Sequence, residues 1–315
     1  MIKKMRAFVF PGQGSQFVGM GRDLADAFPL AREVFQEVDE TLSQNLTKIM
    51  FEGPEADLNL TENTQPALMA VSLAVARILE KEKPELFKSA KCVAGHSLGE
   101  YSALTAAGSF QLKDTARLLK TRGVAMQKAV PVGVGAMAAI LGLEIDDVTS
   151  IVREASDSEV VAAANDNSYG QIVVSGHKAA VEKAVALATE KGAKRAVMLP
   201  VSAPFHCPLM QPAADAMRDA LSKVEVKAPV VPLVANVTAE FVTSPDQIRD
   251  LLVKQVTGMV RWRESVLYMK EQGVTELVEL GAGKVLSGLT RRIDKELSGK
   301  SVGTPQDIEA FLKDL

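Results

Sequence analysis

The chain has 315 residues, of which 47% are hydrophobic and 24% charged, and its formal net charge is −3. This balance is typical of a folded globular protein of about two domains and excludes collagen-like and low-complexity chains. There is neither a basic excess nor a basic stripe, so we expect no nucleic-acid partner. Two cysteines and three scattered histidines cannot form a disulfide framework or a structural zinc site, and we expect a reducing compartment and no metal.

The sequence gives no targeting or membrane signal. The first apolar run, at residues 7–10, is too short for the core of a signal peptide. The longest uncharged run, at residues 129–143, is interrupted by Pro131, Gly133 and Gly135 and is too short to span a bilayer. We therefore expect a soluble, cytoplasmic protein with no membrane partner, and we expect it to be a monomer.

The first half of the chain alternates short apolar runs with helical patterns. A buried strand is predicted at residues 7–10, followed by a glycine-rich loop at 12–16. Helical periodicity continues to about residue 80 and is clearest at 64–81. A second buried strand is predicted at 92–94, with helices at 98–107 and 113–128.

The segment from about 134 to 200 has its own pattern. It predicts strands at 134–141, 159–164, 171–174 and 195–199, with helices at 144–154 and 177–191. The order strand-helix-strand-strand-helix-strand is typical of a ferredoxin-like unit. We therefore predict an α/β fold in which residues 130–200 form a small subdomain inserted into a larger one, made of residues 1–129 and 201–315. The larger part resumes with helices near 210–222, 246–256, 261–272 and 284–297, and a strand at 275–279.

A candidate nucleophile lies between the second strand and the helix that follows it. The pattern G-x-S-x-G is matched by Gly95-His96-Ser97-Leu98-Gly99. In that context the serine sits on a sharp strand-to-helix turn, and the next amide, that of Leu98, lies at a helix N-terminus where it can stabilise an oxyanion. A chance match in a tight turn is the alternative, which the placement of strand and helix disfavours.

A serine nucleophile needs a base, and the chain offers three histidines. His96 adjoins the serine, so its ring should point away from the hydroxyl, and His177 opens a helix and is expected to be a surface or capping residue. His206 lies in a proline-rich loop and is the remaining partner for Ser97. The group that orients His206 stays open. A backbone carbonyl could do so, and the carboxylates in the usual chain position all fall in the inserted segment: Asp146, Asp147, Asp157 and Asp166.

Four motifs together carry a resemblance to a known family. They are Phe10-Pro11-Gly12-Gln13-Gly14-Ser15-Gln16, Gly95-His96-Ser97-Leu98-Gly99-Glu100-Tyr101, Arg122-Gly123 and residues 202–206. In this order and spacing the chain resembles the acyltransferases of fatty-acid and polyketide synthesis, in particular the bacterial malonyl-CoA:acyl-carrier-protein transacylases, over nearly its whole length. The resemblance implies an α/β-hydrolase-like large subdomain with an inserted ferredoxin-like small subdomain, which agrees with the pattern of elements.

The resemblance also implies catalytic roles. Ser97 would be the nucleophile and His206 the base, with the backbone N–H groups of Gln13 and Leu98 as the oxyanion hole. The main-chain carbonyl of Gln255 would accept the Nδ1–H of His206, in place of an acid.

Two further residues would determine which acyl group is accepted. The resemblance implies that Arg122 grips the free carboxylate of malonyl, which a planar guanidinium can bind bidentately; its helix pattern alone favours a solvated surface charge. Phe205 would restrict space for an α-methyl group, a preference of only about 1–3 kcal/mol.

The implied reaction is ping-pong transfer of malonyl from malonyl-CoA, through a malonyl-serine, to the phosphopantetheine thiol of acyl carrier protein, for fatty-acid elongation. It needs no cofactor, since the CoA thioester is a substrate. Two other functions are alternatives. A serine esterase or thioesterase shares the serine motif but would not need Arg122, and a carrier-binding scaffold without activity would not need Ser97 and His206. An acyltransferase that serves a polyketide synthase stays open.

Other features admit plainer explanations. The glycine loops at 12–14 and 281–283 fail both nucleotide-binding fingerprints, because Phe17, Val278, Val285 and Leu286 stand where these need glycine, serine or threonine. Cys207 is expected to be a small buried hydrophobe rather than a nucleophile. A late basic stretch is expected to be a solvated face, although an acidic carrier could dock on it: Lys284, Arg291, Arg292 and Lys295.

Overall fold

The computed structural model describes residues 4–157, 159–201 and 203–315. Ser202, the first residue of the fourth motif, lies outside the described residues. Within them the chain forms two β-sheets with helices packed on both, which confirms the predicted α/β class. The strands are β1 (Arg6–Phe10), β2 (Cys92–Gly95), β3 (Gly135–Leu141), β4 (Val161–Ser168), β5 (Gln171–His177), β6 (Arg195–Met198), β7 (Leu233–Val234), β8 (Phe241–Val242), β9 (Glu276–Leu280) and β10 (Ser298–Val302).

The larger sheet has six strands in the order β10-β9-β1-β2-β7-β8. All neighbouring pairs are parallel except β7 and β8, which are antiparallel. β2 is buried along its whole length, and so is β1 from Ala7 onward. Unbroken apolar runs of this kind are expected where helices cover both faces of a parallel sheet. The carboxyl end of β2, at the middle of this sheet, is where the serine motif begins.

The helices of the described residues mostly surround the larger sheet. The longest, Thr61–Glu82, is buried over nearly its whole length and packs against the helices Pro29–Leu42 and Leu112–Lys128 as well as the sheet. The α-helices are α1 (Arg22–Ala27), α2 (Pro29–Leu42), α3 (Leu46–Glu52), α4 (Glu55–Leu58), α5 (Thr61–Glu82), α6 (Gly99–Ala106), α7 (Leu112–Lys128), α8 (Ile145–Ala155), α9 (Lys178–Glu190), α10 (Gln211–Ser222), α11 (Pro245–Gln255), α12 (Trp262–Glu271), α13 (Val285–Ile293) and α14 (Pro305–Lys313).

The smaller sheet is antiparallel, with the order β4-β5-β3-β6. Helices α8 and α9 cover one face and enclose a separate apolar core that includes Ile140, Ile151 and Val174. Met137 and Val173 instead belong to the main core of the molecule, on the side of the larger sheet. Backbone bonds between Val260 and residues 164 and 166 join β4 to the segment before α12. The small sheet therefore forms a wall against the carboxyl end of the large one.

The structure adds elements that the sequence did not predict. β7 and β8 have two residues each, and β10 is a polar strand with the sequence SGKSV, so none shows an apolar alternation. The helix predicted at 284–297 ends at Ile293, because Asp294 is extended, and α14 follows β10. No helix in the described parts of the chain has the length and apolar character needed to cross a membrane.

Candidate active site

The serine motif forms a tight turn between β2 and α6. Ser97 has φ of 54°, a left-handed conformation that costs a non-glycine residue of order 1–3 kcal/mol. A Cβ added to Gly95 would lie 2.0 Å from the Gly99 backbone, and one added to Gly99 would lie 2.2 Å from the Phe10 carbonyl oxygen. Only glycine fits at either position, so the turn packs directly on the end of β1.

Ser97 and His206 are hydrogen-bonded. Ser97 Oγ lies 2.8 Å from His206 Nε2, and His206 Nδ1 lies 2.9 Å from the Gln255 carbonyl oxygen and 3.1 Å from that of Gly258. Two carbonyls require a proton on Nδ1, which leaves Nε2 free to accept the serine proton. Burial, reinforced by the positive charge of Arg122, lowers the pKa of His206 to about 3, so the ring is neutral at pH 7.

No carboxylate hydrogen-bonds to His206 within the described residues. Of the four aspartates in the usual chain position, Asp166 is the buried one, and it pairs with Arg263 at 2.8 Å. The two carbonyls orient the imidazole but bring no negative charge to it. Of the two alternatives that the sequence left open, a carbonyl or a carboxylate, the structure thus places carbonyls at Nδ1.

Arg122 is 1% exposed although it carries a charge. Its Nη1 donates to Gln65 Oε1 at 2.8 Å, and its Nη2 donates to Gln255 Oε1 at 2.8 Å and to Ser97 Oγ at 3.1 Å. The solvated position favoured by the helix pattern is therefore wrong. α7 packs closely on α5, since a Cβ on Gly123 would lie 2.5 Å from Glu62 Cα. The hydrogen-bond partners of the guanidinium are all neutral, so its charge is available to an anion.

These groups open into a cavity of 280 Å³ between the two sheets. Gln13 and Leu98 line it, and among the described residues neither of their backbone N–H groups has an acceptor. Phe205 lies beside the histidine and is almost fully buried. The remaining lining residues are Gln65, His96, Met126, Met137, Ala139, Asn165, Asn167, Gln171, Val173, Leu199 and Val201. A larger cavity of 660 Å³ lies elsewhere, near Lys4 and Leu315, and contains none of the motif residues.

The other histidines and Cys207 have structural contacts. His177 Nδ1 accepts the Val160 N–H at 2.9 Å, outside the cavity. His96 Nε2 lies 2.8 Å from Asn167 Oδ1, which ties the serine turn to β4. Cys207 is fully buried, as expected, and its Sγ donates to the Pro204 carbonyl.

Several site residues escaped the sequence analysis. Gln65 is a buried polar residue within an apolar helix, which is a signal that could have singled it out. Asn236 follows β7, next to β2, and a site role for it requires knowing that these strands are neighbours. Asn167 is recognisable only once β4 is placed against the large sheet.

Known proteins resemble the chain along almost its whole length. Residues 7–301 match the family model described as acyl transferase domain. The chain is 47% identical over 307 residues to the malonyl CoA-acyl carrier protein transacylase of Escherichia coli K12, covering 98% of each. It is 44% identical over 310 residues to that of Bacillus subtilis, covering 98% of this chain and 96% of the relative.

Solved structures agree. The acyl-carrier-protein-S-malonyltransferase of Bartonella henselae superimposes with a TM-score of 0.97 at 56% identity, covering 98% of this chain and 99% of that one. A malonyl-transacylase in complex with its type II PKS acyl-carrier protein has a TM-score of 0.95 at 43% identity, covering 99% and 100%. The chain therefore belongs to the acyl transferase domain family, and within it to the bacterial malonyl CoA-acyl carrier protein transacylases, which are acyltransferases.

Proposed function

We propose that this protein transfers malonyl from malonyl-CoA to the phosphopantetheine thiol of acyl carrier protein by a ping-pong mechanism through malonyl-Ser97. One observation carries the proposal. Ser97 Oγ lies 2.8 Å from the neutral His206 and 3.1 Å from the buried guanidinium of Arg122. A base and an anion-binding group thus meet at one serine oxygen, which suits an acyl group that ends in a carboxylate.

In the first half-reaction Ser97 Oγ attacks the thioester carbonyl carbon while His206 Nε2 takes its proton. The carbonyl oxygen becomes an oxyanion, for which the N–H groups of Gln13 and Leu98 are the available donors; losing one such donor typically costs about 10²–10³ in rate. The C–S bond then breaks, and the CoA sulfur receives the proton from His206. The product is the malonyl ester of Ser97.

The second half-reaction runs the same steps with a different thiol. His206 takes the proton of the carrier's phosphopantetheine thiol, whose sulfur attacks the ester carbonyl. The C–O bond breaks, and Ser97 Oγ recovers a proton from His206. A thioester is exchanged for an ester and back without electron transfer, so these steps use only Ser97, His206 and the two backbone N–H groups, and no cofactor.

Arg122 would hold the malonyl carboxylate. Each of its terminal nitrogens uses one N–H on a glutamine, which leaves a second N–H on each for the substrate. On Nη2 that N–H now contacts Ser97 Oγ, and a bound carboxylate would take it over. Phe205, beside His206 in the cavity lining, would limit room for a substituent on the malonyl α-carbon.

We also propose the division of the chain into two subdomains. The four strands of the small sheet all lie within residues 130–200, in the order expected of a ferredoxin-like unit. Residues 1–129 and 201–315 supply the larger sheet and would be the α/β-hydrolase-like subdomain. We propose further that the protein acts as a monomer.

The carrier would dock beside the cavity on the exposed basic residues of α13 and its N-terminal flank. Arg292 Nη1 donates to Gln171 Oε1 at 3.3 Å, and Gln171 lines the cavity. Lys284 and Arg291 are exposed on the same segment. Positive charge here would speed encounter with an acidic carrier without changing the chemistry at Ser97.

Intact-protein mass spectrometry tests the covalent intermediate. Wild-type protein mixed with malonyl-CoA is expected to gain one malonyl group, and peptide mapping should place it on Ser97. The Ser97→Ala variant, with Cys207 intact, is the matched control and should gain nothing. An adduct that persists in Ser97→Ala, or one formed with another acyl-CoA but not with malonyl-CoA, would contradict the proposal.

A further inference from the structure

A buried carboxylate lies beneath the serine turn and takes no part in the steps above. Glu100 is 1% exposed and lies in the first turn of α6, three residues after Ser97. Its Oε2 accepts the backbone N–H of Asn236 at 2.9 Å and the side-chain Nε2–H of Gln255 at 3.1 Å. Burial raises the pKa of Glu100 to about 7, although these hydrogen bonds and Arg122 oppose the rise. Burying a carboxyl group costs free energy unless hydrogen bonds or an opposite charge compensate for its lost hydration. The role of Glu100 therefore follows from what its hydrogen-bond partners do.

Asn236 bridges the two sides of the serine turn. Its Oδ1 accepts the backbone N–H of Ser97 at 2.8 Å, and its Nδ2 donates to the carbonyl oxygen of Gly95 at 2.7 Å. A primary amide supplies one acceptor and one donor in this arrangement, and a carboxylate cannot, since it only accepts. Because Ser97 N–H is engaged here, the next amide along the chain, that of Leu98, is the one left for an oxyanion.

Gln255 holds the other side of Ser97. Its Nε2 donates to the Ser97 carbonyl oxygen at 2.9 Å, and its own carbonyl and Oε1 engage His206 and Arg122. Both polar backbone groups of Ser97 are thus bound by amide side chains, from Asn236 and Gln255. One carboxylate oxygen of Glu100 fixes both of these residues.

We propose that Glu100 and Asn236 are positioning residues that hold the Ser97 backbone in its left-handed conformation and so aim Oγ at His206. A left-handed non-glycine residue persists only where its surroundings over-determine it, and the bonds from Asn236 and Gln255 do this. Neither Glu100 nor Asn236 contacts Ser97 Oγ or His206 in the structure, so they act through the turn. The inference rests on the proposed function only in taking Ser97 as the nucleophile.

The test measures Ser97 reactivity without using malonyl. A fluorophosphonate probe forms an O–P bond to an activated serine and releases fluoride, while His206 takes the serine proton. Asn236→Ala removes both bonds to the turn and should slow labelling by about 10- to 100-fold, the range expected for two hydrogen bonds. Glu100→Ala should behave similarly, and Glu100→Gln, which keeps an acceptor oxygen, should recover most of the rate.

Asn236→Asp gives a signature that a merely structural role would not produce. A protonated carboxyl offers one donor and one acceptor, as the amide does, whereas the carboxylate repels the Gly95 carbonyl. Relative to wild type, the labelling defect should therefore be larger at pH 8 than at pH 6. Glu100 is bonded to Asn236, and the N–H of Arg261, which pairs with Glu264, donates to the Asn236 carbonyl oxygen. The other titratable or charged groups around this turn are His96, Arg122, His206 and Glu240. Because a carboxyl group at 236 would titrate together with Glu100, the comparison is repeated in a Glu100→Gln background, which removes that coupling while the other groups stay the same.

Glu279→Gln is the matched control. Glu279 is also a fully buried glutamate that accepts backbone N–H groups, those of Leu286 and Ser287, but it lies outside the serine turn. It should label at the wild-type rate, and thermal melting checks that every variant is folded. Folded Asn236→Ala and Glu100→Ala proteins that label within twofold of wild type would overturn the proposal. Wild-type protein that reacts with the probe but not with malonyl-CoA would instead overturn the proposed function and leave this test intact.

Discussion

The two walls of the cavity differ in what their side chains do. The wall built on the large sheet and its helices carries Ser97, His206 and Arg122, each fixed by hydrogen bonds to several chain segments. The wall built on the small sheet lines the cavity with apolar side chains, among them Met137 and Val173, and with the uncharged amides of Asn165, Asn167 and Gln171. The reactive groups are concentrated on one wall, whereas the other limits the size of the cavity. Substitutions on the first wall should therefore lower the reaction rate far more than substitutions on the second.

The largest effect is expected from the base. His206→Ala should slow malonylation of Ser97 by about 10²–10⁴-fold, the range for loss of general-base catalysis, because His206 is the one acceptor for the Oγ proton among the residues that the structure describes. Rapid-quench mass spectrometry measures the rate of adduct formation. The Cys207→Ala variant, one residue away, is the control and should acylate normally. A fall of less than about tenfold in His206→Ala would remove the histidine from the mechanism.

Arg122→Ala should separate malonyl from acetyl. A charge-assisted hydrogen bond is worth about 1.5–3 kcal/mol, so the rate of malonyl transfer should fall by about 10- to 100-fold more than that of acetyl transfer. Parallel assays with malonyl-CoA and acetyl-CoA give the ratio. Equal losses with both substrates would show that the guanidinium supports the site without binding the carboxylate.

The pH dependence of acylation should shift when substrate binds. Arg122 helps to lower the pKa of His206, and a bound carboxylate would neutralise that charge, so the pKa of the histidine should rise in the complex. Protonated His206 cannot accept a proton, and activity is therefore lost as the pH falls. The acid limb of the maximal acylation rate should lie at higher pH than that of the rate at limiting malonyl-CoA. In Arg122→Ala the acid limb of the rate at limiting malonyl-CoA should itself move to higher pH, because the charge that lowers the pKa of His206 in the free protein is gone. Coincident limbs in wild type would count against the coupling.

The basic docking surface affects encounter rather than chemistry. Arg292→Glu should slow transfer to the carrier severalfold at low ionic strength, and the difference should shrink as salt screens the charges. Malonylation by malonyl-CoA in the absence of carrier is expected to stay within about twofold. Arg153→Glu, at an exposed position on α8, is the control. A salt-independent defect, or none, would place the carrier elsewhere.

The smallest effect is expected at the second wall. Asn167→Ala removes the bond that joins the His96 ring to β4. One hydrogen bond contributes about 0.5–1.5 kcal/mol net, so a change of about threefold to tenfold is expected in the half-saturating malonyl-CoA concentration rather than in the maximal rate. Single-turnover titrations separate the two quantities. A loss of the maximal rate as large as that in His206→Ala would erase the distinction between the walls.

The serine turn could be predicted from the sequence because the residues that form it are close together in the chain. An apolar strand, glycines at 95 and 99 and a helix of small residues lie within a few positions of Ser97. His206 followed as its partner because only two other histidines were available. The burial of Arg122 could not be predicted from its helix, since it depends on Gln65 and Gln255, which the fold brings from distant positions.

The same distinction applies to the fold. The parallel strands β1 and β2 are continuous apolar runs and were predicted, whereas β7 is too short and β10 too polar to give a pattern. Asn236 follows β7, so without that strand the sequence did not indicate a role for it either. Glu100 stands inside the serine motif, but its contacts reach across the sheet, and only the structure shows them.

The central claim is that Ser97 passes its acyl group to a thiol and not to water. Malonylated protein, freed of CoA, should keep its adduct in buffer. On addition of phosphopantetheine-bearing acyl carrier protein, the adduct should disappear from Ser97 and appear in equal amount on the carrier, as followed by intact-protein mass spectrometry. Loss of the adduct at the same rate without carrier, with none gained by the carrier, would identify a thioesterase and contradict the account.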